Sequence, residues 1–104
     1  MIRHIVLLDL PDGHNAAELA AIMQGLAELQ DNLEGFMGFA HGPNRDIEAM
    51  SANCVYAFTC DFVDEATSRI YLDNAQHKTL GARLVALCRG GAKGICVVDM
   101  DGTT

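Results

Sequence analysis

The sequence predicts an α+β fold with the element order β-α-β-β-α-β, in which an antiparallel sheet carries its helices on one face. Three observations predict it. Four segments rich in aliphatic and β-branched residues begin near Ile2, Phe36, Cys54 and Ile95. Two stretches of helical hydrophobic spacing separate the first from the second and the third from the fourth. The chain has 104 residues, enough for one core that buries roughly two thirds of the unfolded chain's surface, so residues 1–104 are read as a single domain. Half of the residues are apolar and 20% are charged, the balance of a folded chain rather than a disordered one.

Residues 2–10 form the first strand, closed by the turn tripeptide Pro11-Asp12-Gly13. Side chains alternate across a sheet, so Ile2, His4, Val6, Leu8 and Leu10 share one face and Arg3, Ile5, Leu7 and Asp9 the other. Both faces are mostly apolar, and one layer of helices covers only one of them. A second copy of the chain is the simplest cover for the other. Asn15 then stands as an N-cap with Glu18 behind it, and Leu19, Ile22, Met23, Leu26 and Leu33 follow helical spacing up to Gly35. Two strands come next, Phe36 to Gly42 and Cys54 to Phe62, joined by a polar segment, Arg45 to Asn53, that reads as mobile. Asp64 caps a short helix through Tyr71-Leu72, and Asp73-Asn74 interrupts it. With Asn74 as the next cap, His77, Leu80, Leu84, Leu87 and Cys88 fall on one stripe of the following helix. Arg89-Gly90-Gly91 ends that helix, and Ile95 to Val98 is the last strand. This is the ferredoxin-like, split βαβ order.

Charge and targeting signals narrow the function classes. Seven Lys and Arg stand against fourteen Asp and Glu, a net charge of −7 that repels phosphate backbones and anionic headgroups. Neither nucleic acid nor a membrane is an expected partner. The apolar run Ile5 to Leu8 is shorter than a signal-peptide core or a membrane span, and the expected location is the cytoplasm. Cys54, Cys60, Cys88 and Cys96 show no C-x-x-C spacing and read as buried apolar residues rather than as bridges or zinc ligands.

Two histidines and a tyrosine are the candidates for chemistry. His77 lies in the first turn of its helix, where the positive end of the helix dipole favours a neutral imidazole that can accept a proton. His4 projects from the strand face shared with Val6 and Leu8, toward the helices if Arg3 and Asp9 face the other way. Tyr71 brings a phenol to the same region as a donor to a carbonyl or a developing oxyanion. The competing reading makes all three core residues that satisfy one another. Leu19, Met23, Leu26, Tyr56, Phe58 and Leu84 are the expected lining of any pocket beside them, and they suit an apolar ligand. His14 and His41 lie in or beside turns, and the four histidines show no metal-ligand spacing, so no metal site is expected. Asp9, Asp12, Asp99 and Asp101 cluster at strand ends and read as solvated charge.

Several pieces in order resemble the stress-responsive dimeric α+β barrel (Dabb) family. They are Ile2-Arg3-His4-Ile5-Val6-Leu7-Leu8, Gly42-Pro43-Asn44, Thr59-Cys60-Asp61-Phe62, Tyr71-Leu72 followed by Gln76-His77, and Val97-Val98-Asp99. Many members carry His-Pro ahead of the last histidine, where this chain has Asn74-Ala75. The resemblance implies a homodimer in which two ferredoxin-like sheets pack face to face as a dimeric α+β barrel. A plant member of the family is a polyketide cyclase that closes a poly-β-ketone by aldol condensation, with a histidine and a tyrosine at the positions of His77 and Tyr71 and a further histidine at that of His4. By that resemblance the site takes an apolar, carbonyl-bearing metabolite and works with no cofactor. The alternative is a non-catalytic, stress-induced binding or structural dimer. A monooxygenase-like activity of the wider barrel superfamily ranks third.

Overall fold

The computed structural model describes residues 1–103. Four strands, β1 (Ile2–Leu8), β2 (Phe36–Pro43), β3 (Tyr56–Phe62) and β4 (Ile95–Asp101), form one sheet in the order β2-β3-β1-β4. Every neighbouring pair is antiparallel. Helices α1 (Ala16–Asn32), α2 (Glu65–Asp73) and α3 (Ala75–Leu87) cover one face, and a 3-10 turn, Gly91–Gly94, leads into β4. The element order is therefore the expected one, with the second helical region broken in two.

The caps read from the sequence are the ones that form. Asn15 Oδ1 accepts from the Glu18 N–H at 3.0 Å, and Asp64 Oδ1 accepts from the Thr67 N–H at 2.9 Å. Each satisfies an N–H that the first helical turn otherwise leaves unpaired. Gly35, at φ +88°, turns the chain from α1 into β2, and a Cβ there would lie 2.7 Å from Thr67 Oγ1. Arg83 of α3 grips Glu18 of α1 through two bonds of 2.7 and 3.0 Å.

The alternation on β1 sorts as expected. His4, Val6 and Leu8 are buried under the helices, while Ile5 and Leu7 on the reverse face are only half-buried. The buried set packs with Ile22, Met23, Leu26, Leu29, Phe58, Phe62 and Leu80 into one core. The reverse face is apolar and open. Val98 and Met100 stay 48% and 42% exposed opposite Ile5 and Arg3, and Arg3 also forms a two-bond ion pair with Asp61 at that end of the surface.

Two expectations about connections change. Arg45 to Asn53 is held rather than loose. Asn44 Nδ2 donates to Ser51 Oγ and to the Cys54 carbonyl, both at 2.7 Å, and its Oδ1 accepts from the Asp46 N–H. Polar side chains of this length satisfy a loop's backbone in place of a strand partner. The first strand ends at Leu8 rather than Leu10, and the last runs on to Asp101, because its far half pairs with the first residues of β1.

Candidate functional site

Antiparallel register places Asp99 of β4 directly opposite His4 of β1, on the same sheet face. The two side chains meet, His4 Nδ1 lying 2.7 Å from Asp99 Oδ1. A carboxylate only accepts, so Nδ1 carries the proton and the neutral ring keeps Nε2 as its basic nitrogen. The His4 side chain is 10% exposed and that of Asp99 is 57% exposed, so the dyad runs from the interior to the surface. Asp99 is thus a partner of the candidate histidine rather than a solvated strand-end charge. Asp9 is likewise engaged, by Arg89 at 3.3 Å.

Tyr71, on α2, is 1% exposed. Its ring meets His4 at a centroid distance of 5.9 Å in an edge-to-face arrangement, and Phe36 and Phe62 at 5.4 and 5.0 Å. The Cys60 thiol donates toward its hydroxyl at 3.8 Å. Burial pushes the phenol well above its ordinary range and the Cys60 thiol up to about 12. Both groups remain protonated near neutrality, so the phenol serves as a donor and never as a phenolate base.

His77 begins α3 because Asn74 ends α2 and starts the next helix. Asn74 is extended, with ψ 131°; its N–H donates to the Tyr71 carbonyl, and its Oδ1 accepts from the His77 N–H at 2.9 Å. Asn74 therefore supplies the entry to this helix. The His77 ring lies 4.2 Å from that of Tyr71. Its Nδ1 is buried with no hydrogen-bond partner. Burial lowers its pKa, the Leu72 carbonyl works in the opposite direction, and the charges of His4 and Lys78 lower it further. The ring is a neutral base near pH 7.

The three candidates from the sequence, His4, Tyr71 and His77, are therefore brought together. The Tyr71 ring contacts both imidazoles. Of the six expected lining residues, Leu19, Met23, Leu26, Phe58 and Leu84 lie in the buried core. Tyr56 sits at the opposite end of the sheet, paired with Leu8, and its hydroxyl is 2.6 Å from His41 Nδ1. Asp99, but none of His4, Tyr71 and His77, lines a cleft of about 300 Å³ between α2 and the β1–β4 edge, together with Ile2, Glu65, Ser68, Arg69, Leu72 and Asp101. Among the described residues no group of three or more His, Cys, Asp or Glu is placed to hold a metal ion, and no helix is long and apolar enough to cross a membrane.

A neutral imidazole with an orphaned nitrogen, a second imidazole oriented by a carboxylate and a buried phenol in contact with both form an acid–base set. Asp99 is the member that sequence reasoning missed. The strand bounds read from the sequence, 2–10 and 95–98, left position 99 outside the pairing that sets it opposite position 4.

Among curated proteins, none matches this sequence significantly. A dimeric ferredoxin-like protein of unknown function from Jannaschia sp. CCS1 is 38% identical, with 97% of this chain and 98% of that one covered and a TM-score of 0.84. The hydroxynitrile lyase of Passiflora edulis shares the fold at 14% identity, covering 99% and 95% of the two chains with a TM-score of 0.79. SnoaB, a cofactor-independent oxygenase from Streptomyces nogalater, shares it at 13% identity, 99% and 93% coverage and a TM-score of 0.75. The profile of the stress responsive A/B barrel domain matches residues 2–101, and the chain belongs to that family, Dabb.

Proposed function

We propose that the protein is a homodimer whose protomers each use His4, Tyr71 and His77 as a cofactor-free acid–base site for a small, largely apolar carbonyl compound. The observation that carries this reading is the orphaned Nδ1 of His77. A buried nitrogen with no partner costs the fold about 1–3 kcal/mol, and a ligand hydrogen bond would recover it. In the reaction, His77 takes the acidic proton between two carbonyls and the Tyr71 hydroxyl donates to the oxygen on which charge develops. The enolate carbon attacks a further carbonyl, one not bonded to it, elsewhere in the same molecule, and the proton returns from His77 to the new alkoxide. Asp99 holds His4 in the tautomer that keeps Nε2 available. The Passiflora lyase and SnoaB support the reading at the level of the scaffold, since SnoaB is a cofactor-independent oxygenase.

The dimer reading rests on the open sheet face. Ile5, Leu7, Val98 and Met100 form an apolar surface that the three helices leave uncovered, and the Jannaschia relative is dimeric. Packing two such faces buries on the order of 2,000 Å² or more, as permanent homodimers do. A monomeric mass in light scattering at micromolar concentration would refute it.

A second reading has its own support. Tyr71 is almost fully buried and the expected lining is core, which suits a binding or structural dimer without turnover. A thermal-shift screen of small ketones and β-diketones separates the two. The acid–base reading expects a compound that raises Tm with the native chain and not with His77→Phe, because only the native state then binds it. The structural reading expects no such compound.

A further inference from the structure

The two remaining histidines lie at the other end of the sheet, beside a separate cleft of about 320 Å³. Its walls are the turn Leu10 to His14 on one side and Pro43, Val55 and Tyr56 on the other. The apolar part is formed by the two proline rings, Leu10, Val55 and the Tyr56 ring. Each polar side chain of the lining, Asp12, His14 and Tyr56, offers an acceptor. The His14 Nδ1–H donates to the Pro11 carbonyl at 3.0 Å, which leaves Nε2 as the ring's free acceptor. The Tyr56 hydroxyl is 2.6 Å from His41 Nδ1, and whichever of the two donates, the phenol oxygen keeps a lone pair. Burial raises the Tyr56 pKa, so the group is a phenol rather than a phenolate. Asp12 adds an exposed carboxylate, and no Lys or Arg among the described residues lines the cleft.

We propose that this cleft is a second ligand site, built for a small organic cation: an ammonium group carried on an apolar body. Apolar walls with acceptors at the rim match a donor-only head on a hydrocarbon or aromatic frame, and an aromatic face adds attraction for a cation. The net charge of −7 works in the same direction by raising the local concentration of cations. The positive end of α1 opposes it, but Asn15 already caps that end and Glu18 stands in its first turn. The site is independent of His4, Tyr71 and His77, so either can fail without the other.

The test is a titration of the ¹⁵N-labelled full chain with phenethylammonium, followed by backbone amide shifts, with 2-phenylethanol as the uncharged control. The expected result is saturable shifts centred on Gly13, His14 and Val55, with the alcohol at least ~10-fold weaker, as charge-assisted hydrogen bonds outweigh neutral ones. Asp12→Asn, at an exposed position that leaves the core untouched, should weaken the cation and not the alcohol. Tyr56→Phe should weaken it as well. Equal binding of the alcohol, no saturation at millimolar ligand, an unchanged affinity in Asp12→Asn, or shifts centred on Leu72 and Asp99 would each overturn the proposal.

Discussion

Replacing His77 by phenylalanine should make the protein more stable, although His77 lies in the best-defined cluster of the molecule. The native ring buries Nδ1 without a partner, and such a group costs about 1–3 kcal/mol relative to a satisfied one. Phenylalanine keeps a flat ring against Tyr71, where the native centroids are 4.2 Å apart, and removes the orphan. It also gives up the attraction of the Leu72 carbonyl, which acts to raise the His77 pKa, so the gain is smaller than the full cost of the orphan. The net expectation is a gain of roughly 0.5–2 kcal/mol at neutral pH, or several degrees in Tm for a chain of this size. The pH dependence fixes the sign. Burial depresses the folded-state pKa of His77 below its unfolded value, so as pH falls through the unfolded value the unfolded chain takes up a proton that the folded chain refuses. Stability from this group is whole above the unfolded pKa and is lost below it, down to the folded pKa. The advantage of His77→Phe should therefore widen between about pH 7 and pH 5. Urea denaturation of both proteins at matched protein concentration across that range measures it. A variant less stable than the native chain by more than ~1 kcal/mol at pH 7, or a gap that closes on acidification, would show that Nδ1 is satisfied and that the ring serves the fold.

Other substitutions probe single contacts. Gly94→Ala places a Cβ 2.5 Å from the Arg89 carbonyl oxygen and 3.1 Å from that of Asp9, both backbone atoms that cannot swing aside, and should cost about 1–3 kcal/mol in a denaturation midpoint. Asn74→Ala removes the bond to the His77 N–H and should cost about 0.5–2 kcal/mol, with α3 fraying first in amide exchange. Asp99→Ala leaves His4 buried without its 2.7 Å partner; a loss of about 1–3 kcal/mol is expected, and in the histidine side-chain NMR spectrum the proton should no longer be fixed on Nδ1. Val98→Asp puts a charge on the open sheet face and should shift the sedimentation profile to monomer; an unchanged dimer would place the interface elsewhere.

Much of this architecture is written locally. Asn15, Asp64 and Asn74 announce their helices because a short polar side chain before an apolar run has one strong use, and all three accept the expected N–H. The two faces of β1 are legible because the period of a strand is two. Long-range facts were less accessible. The extension of the last strand to Asp101 comes from pairing with β1, not from the composition of Asp99-Met100-Asp101. The ordering of the segment after Asn44 depends on which of its polar side chains turn inward. The site residues were identifiable by type and by place, His4 on a strand face and Tyr71 and His77 on helices. That the phenol ring touches both imidazoles was not, because side-chain packing between α2, α3 and the sheet is decided by Phe36 of β2 and by Cys60 and Phe62 of β3, distant in the chain.

The most direct measurement of the acid–base account is hydrogen–deuterium exchange at the central carbon of a simple β-diketone in D₂O, followed by proton NMR with the intact dimer. The native protein should accelerate exchange above the buffer rate with saturation in diketone, and His77→Phe should fall back to the buffer rate while remaining folded and dimeric. Equal rates for the two proteins would contradict the assignment of His77 as the base and leave the cluster as part of the core.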